Sequence, residues 1–160
     1  LVMGDALAVS LLKMNKFSKE DFAKYHPGGT LGKKLTLLVS DLCDFSNCPQ
    51  VVKSDKLHVI IMEISSKRLG ATAVLDRGEI VGIITDGDLR RMLESRIDIE
   101  NVTALDLMTK QPKMIHKKAL AYEAFSLMKQ NNITQLLVED TKGGYAGIIH
   151  LHDVLKHNIF

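Results

Sequence analysis

The chain has 160 residues, 46% of them hydrophobic and 25% charged, with a formal net charge of +2 at pH 7. That length suits one ordinary domain or two small modules sharing a core, and the near-neutral balance gives no electrostatic footprint for nucleic acid or an acidic membrane surface. No apolar run approaches the ~20 residues needed to cross a bilayer, and the opening LVMGD lacks the basic stretch of a secretory signal.

In chain order, GDALAVSLLKM (4–14) is nearly all small or apolar. It predicts a helix without a polar face, which belongs inside a larger body. The chain opens on Leu1 rather than an initiator methionine, as expected of a piece of a longer protein. Ser18-Lys19-Glu20-Asp21 predicts the cap of a short helix that stops near His26, because Pro27 disfavours helical geometry in the residue before it. HPGGTLGKKL follows, a Gly-rich turn whose Lys33 and Lys34 read as a solvated linker face. Cys43 and Cys48 in CDFSNC have neither disulfide-framework nor zinc-knuckle spacing, and read as reduced thiols in a cytosolic protein.

The rest of the chain is a repeat. DLCDFSNCPQVV (41–52) matches DLMTKQPKMI (106–115). LHVIIMEISSKRLGATAVLD (57–76) matches LAYEAFSLMKQNNITQLLVE (120–139), and EIVGIITDGDLRRML (79–93) matches GYAGIIHLHDVLKHN (144–158). Asp41 pairs with Asp106, Pro49 with Pro112, Gly82 with Gly147 and Asp88 with Asp153. The offset is then 65 residues, 63 and 65 again, which implies two-residue length differences in two turn-rich loops. Each copy predicts a short extended piece (50–52; 113–115), an amphipathic helix (57–67; 120–131), a buried strand (71–75; 135–138), a turn, a second strand (80–85; 145–150) and a short helix (87–94; 153–157). Leu57, Ile60, Ile61 and Ile64 mark the apolar face of the first long helix. One unit is too small to bury such a face alone, whereas two packed together bury both.

Paired β-α-β-β-α units, each with a strand ending in G-h-h-[TS]-x-x-D before a helix, resemble a tandem cystathionine-β-synthase (CBS) domain pair over roughly residues 36–160. The fold class implied is α+β with pseudo-twofold symmetry. GIITDGDL carries the whole signature in Gly82, Thr85 and Asp88. Physically, Thr85 ends a strand at the sheet's open edge, and a helix start there offers unpaired N–H donors to an anion. The acceptor-only carboxylate of Asp88 suits the hydroxyls of a ribose. Thr-x-x-Asp is equally a helix capping box, and the residues alone leave both readings open. In the second copy, GIIHLHDV, His150 replaces the threonine and His152 replaces Gly87. In a strand His150 and His152 share a face, as metal ligands would, but no third or fourth ligand is in evidence and no metal is expected. His150 and Asp153 are instead the second nucleotide-binding candidates. That cleft is either unused or suited to an acidic ligand whose contact strengthens when the imidazole is protonated.

GDALAVSLL, then DFAKYHPGGTLGKKL, then a CBS pair resembles the carboxyl-terminal half of bacterial arabinose-5-phosphate isomerases. In that family a sugar-isomerase (SIS) domain precedes two CBS domains, and ribulose 5-phosphate is converted to arabinose 5-phosphate for 3-deoxy-D-manno-octulosonate (Kdo). The resemblance implies an SIS tail and linker at 1–35, CBS domain 1 at 36–98 and CBS domain 2 at 99–160. His26 is then the candidate catalytic residue of the parent enzyme, a group suited to acid–base work, with this piece alone inactive. No cofactor is implied. The expected regulatory ligand is CMP-Kdo, CMP or an adenine nucleotide. The expected partner is a second copy, as a dimer of CBS pairs or a tetramer in the parent, with Leu89, Met92, Leu93, Val154 and Leu155 as candidate interface residues. A cytoplasmic location follows, with neither nucleic acid nor membrane as partner. Two other arrangements fit the pair: a free-standing nucleotide sensor, and an oligomerisation platform that binds nothing.

Overall fold

The aliphatic runs after the two long helices become the centres of two small sheets. The computed structural model describes residues 2–18, 21, 25, 29–94 and 99–158. In repeat 1, β1 (Gln50–Val52), β2 (Ala71–Asp76), β3 (Glu79–Thr85) and β4 (Thr109–Lys110) lie in the order β1-β2-β3-β4. In repeat 2, β5 (Met114–His116), β6 (Gln135–Glu139) and β7 (Tyr145–His150) lie in the order β5-β6-β7. β1 runs parallel to β2, and β5 to β6, so each pair needs a crossover helix. These helices are α3 (Leu57–Lys67) and α6 (Ala121–Asn131). Each second strand then turns back in an antiparallel hairpin and runs into a short helix, α4 (Asp86–Glu94) or α7 (Leu151–Lys156). This is the expected α+β duplication.

Both faces of β2 are buried, which explains why it reads as a continuous run rather than an alternation. Ala71 and Ala73 meet Ile83, Leu137 and Ile148 in a core shared by the two sheets, while Val74 turns toward Ile60 and Ile64 of α3. Alanines at that junction let the two sheets approach closely. On α3, Leu57, Ile60 and Ile64 are buried, but Ile61 is 42% exposed and sits off the apolar face it was expected to share. Of the candidate interface residues, Met92 and Val154 are core, whereas Leu93 and Leu155 are exposed.

The strand register changes the repeat alignment. Gln50 pairs with Ala73, and Met114 pairs with Leu137. The Ala73 N–H donates to Pro49 O and the Leu137 N–H to Lys113 O. Pro49 therefore corresponds to Lys113, not Pro112, and each loop difference is one residue rather than two. The prolines punctuate turns and do not fix the register.

The leaders of the two repeats are exchanged. After α2 (Thr30–Thr36), Val39 enters a 3-10 turn (Val39–Asp41) and is fully buried in the core of repeat 2. Its N–H donates to Ala119 O at 2.9 Å, and the Ala121 N–H donates to Leu37 O at 2.8 Å. Reciprocally, Ala104 of α5 (Ala104–Leu107) is buried in the core of repeat 1, with its N–H donating to Asp55 O at 2.9 Å. Asp41 and Asp106 cap these leaders alike, each accepting the backbone N–H three residues back at 2.9 Å. The two lysines of α2 are not a solvated face. Lys33 Nζ donates to His157 O at 3.0 Å, and Lys34 Nζ stands 5.1 Å from the Tyr122 ring centroid. Both tie the linker to repeat 2.

Helix α1 (Val2–Met14) buries none of its residues, and Val2, Met3 and Met14 are at least 80% exposed. Ser18 and Asp21 form the expected capping box, with Asp21 N–H to Ser18 Oγ at 3.1 Å and Ser18 N–H to Asp21 Oδ2 at 3.1 Å. The helix end expected near His26 lies outside the described residues. Among those residues no helix is long and apolar enough to cross a membrane.

Candidate functional site

The corner between β3 and α4 forms one wall of a cleft of about 580 Å³. Thr85, Asp86, Asp88 and Arg91 supply that wall, and Thr109 of β4, the β4–β5 connection (111–113) and the carboxyl end of α6 with the start of β6 (131–135) supply the rest of the lining. Asp88 is only 9% exposed, and its Oδ2 reaches back to accept the Thr85 N–H at 2.8 Å and the Thr85 hydroxyl at 2.7 Å. The Asp88 N–H donates to Thr85 Oγ1 at 3.3 Å. The capping box is thus formed, with the carboxylate in the cleft wall. Asp88 Oδ1 accepts from Arg91 Nη2 at 2.5 Å.

A second cleft of about 430 Å³ lies across a partition made of Gly70, Asp86 and Gln135, which line both. Gly70 adopts φ +65°, and a Cβ there would stand 3.1 Å from Gln135 Nε2 and 3.3 Å from Asp86 Oδ2, so both the conformation and the close approach call for glycine. His150, His152, Asp153 and Lys156 line this cleft with Arg68, the left-handed cap residue of α3. His150 ends β7, whereas His152 already belongs to α7, so the two do not share the strand face expected of them. His150 Nδ1 accepts the His152 N–H at 3.0 Å. That bond places the imidazole proton on Nε2. Asp153 does not reach back as Asp88 does, and pairs with Lys156 at 3.3 Å. Among the described residues no group of three or more His, Cys, Asp or Glu is arranged to hold a metal ion.

Behind this second cleft, Cys43 Sγ donates to Ile148 O at 3.3 Å and Cys48 Sγ to Ala146 O at 2.8 Å. A Cβ on Gly147 would lie 3.1 Å from Cys43 Sγ and 3.5 Å from Cys48 Sγ. Burial, then the neighbouring Cys48, Asp44 and Asp153, push the Cys43 thiol up to about 12, and burial also raises Cys48. Tyr145, half-buried and donating to Pro49 O at 2.7 Å, is raised for the same first reason. In repeat 1 the equivalent place holds Met108 and β4, which pairs with Gly82 and Ile83 of β3.

The structure thus brings Thr85 and Asp88 together in one cleft, and His150 and Asp153 in the other, while His26 lies outside the described residues. Sequence reasoning missed Arg91, Lys156, Gln135 and Arg68. The first two carried a signal, because Asp-x-x-Arg and Asp-x-x-Lys occupy equivalent places in the two repeats.

Compared with known proteins, residues 39–95 and 104–159 match the CBS domain. The chain belongs to the CBS domain family. The chain is 43% identical over 161 aligned residues to the arabinose 5-phosphate isomerase KdsD of Pseudomonas aeruginosa, covering 99% of this chain and 49% of that relative. The chain spans about half the length of the curated relatives it matches. Among solved structures, its CBS pair is similar in fold to a CBS domain protein from Pyrobaculum aerophilum complexed with AMP. That match has a TM-score of 0.69 at 17% identity, over 76% of this chain and 98% of the other. It is also similar to the CBS domain of a bacterial CNNM/CorC family Mg2+ transporter in complex with ATP, with a TM-score of 0.67 at 17% identity, over 81% and 94%.

Proposed function

We propose that this chain is the regulatory CBS portion of a cytoplasmic arabinose-5-phosphate isomerase, and that its first cleft binds a nucleotide or nucleotide sugar. CMP-Kdo, CMP and the adenine nucleotides are the candidate ligands. The observation that carries this reading is the corner at Thr85 and Asp88, where a nearly buried carboxylate and a helix start face a cleft beside a guanidinium. Such a wall supplies an acceptor for sugar hydroxyls and positive potential for a phosphate. The AMP and ATP held by the two CBS-pair structures described above support a nucleotide as the ligand class. Residues 1–35 are, on this reading, the tail of an SIS domain and a linker, and the exposed apolar surface of α1 packs against the half of the longer protein that this chain does not span. His26 serves acid–base catalysis in that longer enzyme, which assembles through its CBS pairs. Ligand in the cleft biases the attached domains only as far as it prefers one arrangement over another.

Thermal unfolding of the chain with CMP-Kdo, CMP, AMP and ATP tests the ligand. A specific one at 100 times its dissociation constant adds about 2.7 kcal/mol, and Asp88→Ala removes that gain. Silence from all four favours a platform that binds nothing. Turnover of ribulose 5-phosphate by the longer protein, altered by the same ligand and abolished in His26→Ala, is the expected activity; turnover by the 160-residue chain alone contradicts the assignment.

A further inference from the structure

Asp88 already holds three donors before any ligand arrives. Its Oδ2 holds two donors of the strand–helix corner, and its Oδ1 holds Arg91. A carboxylate offers about four acceptor sites, so a ribose that places two hydroxyls on this one must displace one of those partners. The cap donors are the backbone N–H and the short side chain of Thr85, held at the end of a strand. Arg91 is not fixed in this way: its side chain is 69% exposed and lines the mouth of the cleft. It arches back over the first turn of α4, with Nη1 3.5 Å from where a Cβ on Gly87 would stand. The same acid–base pair recurs at the equivalent corner as Asp153 and Lys156.

We infer that Arg91 is an exchangeable counter-ion that sets the specificity of the first cleft for phosphorylated ligands. The inference rests on the nucleotide reading above. A nucleoside must strip the guanidinium from Asp88 Oδ1 and leaves it without a partner. A nucleotide exchanges one charge-assisted pair for another: the phosphate takes the guanidinium fork, and Oδ1 is released to the sugar hydroxyls. Gly87, without a side chain, leaves room for that phosphate over the helix start, where repeat 2 carries His152.

Calorimetric titration of the 160-residue chain with AMP, adenosine, CMP and cytidine at fixed ionic strength tests this. For the wild type, the nucleotide that binds does so at least about tenfold more tightly than its nucleoside, the scale of one charge-assisted hydrogen bond. In Arg91→Met, which keeps the aliphatic stem, that ratio falls by about tenfold while the nucleoside binds no worse. Arg91→Lys restores part of it. An unchanged ratio, or equal losses for nucleotide and nucleoside, overturns the inference and leaves the nucleotide reading standing. No binding of any of the four to the wild type overturns the inference, and the thermal screen with CMP-Kdo and ATP then decides the nucleotide reading by itself.

Discussion

At the corner between β3 and α4, a carboxylate reaches back to the end of the strand; at the corner between β7 and α7, an imidazole reaches forward into the helix. Thr85 and Asp88 exchange hydrogen bonds across three residues, while His150 Nδ1 takes the His152 N–H and leaves Asp153 to Lys156. The backbone plan is the same, and both helix starts are capped. Capping therefore does not require an acid in the cleft wall, and only the first corner places a nearly buried carboxylate there. The same contrast continues behind the corners. Repeat 1 lays β4 and Met108 across Gly82, whereas repeat 2 lays two thiols across Gly147.

The largest expected difference between the repeats lies at these two glycines. A Cβ on Gly82 would stand 2.7 Å from Met108 Sδ and 2.9 Å from Met108 Cβ and Cγ, so part of the clash is with an atom that cannot swing away. Gly82→Ala should cost about 2–3 kcal/mol in urea unfolding, as overpacking of a filled site does. Met108→Ala recovers part of that loss by removing Sδ and Cγ. Gly147→Ala meets Cys43 Sγ at 3.1 Å, which yields more easily, but it also puts a side chain at φ +156°. Its cost of about 1–3 kcal/mol therefore comes from the backbone, and Cys43→Ala does not recover it. A recovery of Gly147→Ala by Cys43→Ala as large as that of Gly82→Ala by Met108→Ala would mean that the leaders are packed alike after all.

Much of the fold was legible because apolar periodicity reports burial directly. The bounds of α3 and β1 were read from it, and the match of Asp41 with Asp106 located equivalent places in the two leaders, although nothing in that match announced that both residues cap. The misreadings have a common cause, since each depended on a partner distant in sequence. Ile61 lies within a plausible helical stripe, yet the core beneath α3 is narrow and takes Leu57, Ile60 and Ile64 alone from that set. Pro49 and Pro112 looked equivalent, but the β1 and β5 pairings shift the match to Lys113. Lys33 and Lys34 resembled a solvent face because their acceptors, His157 O and the Tyr122 ring, are invisible locally. In the clefts, the Thr-x-x-Asp spacing located the first corner. Nothing local announced that His150 caps α7 or that Gln135 partitions the two clefts.

The exchange of leaders gives the next sharpest test. Val39 precedes repeat 1 in sequence but is buried among Ile115, Ala121, Met128 and Leu136 of repeat 2. Val39→Ala should therefore cost about 2 kcal/mol as a core truncation. The loss should appear in amide exchange as weakened protection of α6 and β6, with β2 and β3 of repeat 1 less affected. If the sequence-adjacent repeat loses protection first, the exchanged arrangement is wrong.

The smallest effect vanishes at neutral pH and separates the repeats by chemistry rather than shape. A thiol in the unfolded chain ionises near 9.0, whereas burial and nearby acids hold Cys43 neutral up to about 12, and Cys48 is shifted the same way. Between those limits the unfolded chain has released protons that the folded chain still holds, so rising pH favours unfolding. The stability owed to the neutral thiols is complete below pH 9 and is lost as pH climbs toward 12. Tyr145 adds to the same trend above its ordinary value of 10.0, because burial raises it too. A thiolate can no longer donate to Ala146 O or Ile148 O, so β7 should loosen first, while β3 keeps the β4 ladder, whose backbone hydrogen bonds do not titrate in this range. Urea unfolding at pH 8 and pH 10.5 should show a steeper loss for the wild type than for the Cys43→Ala/Cys48→Ala variant, whatever the variant's starting stability. Parallel pH slopes would show that the thiols lie against Gly147 without supporting the strand, and the two repeats would then differ in shape alone.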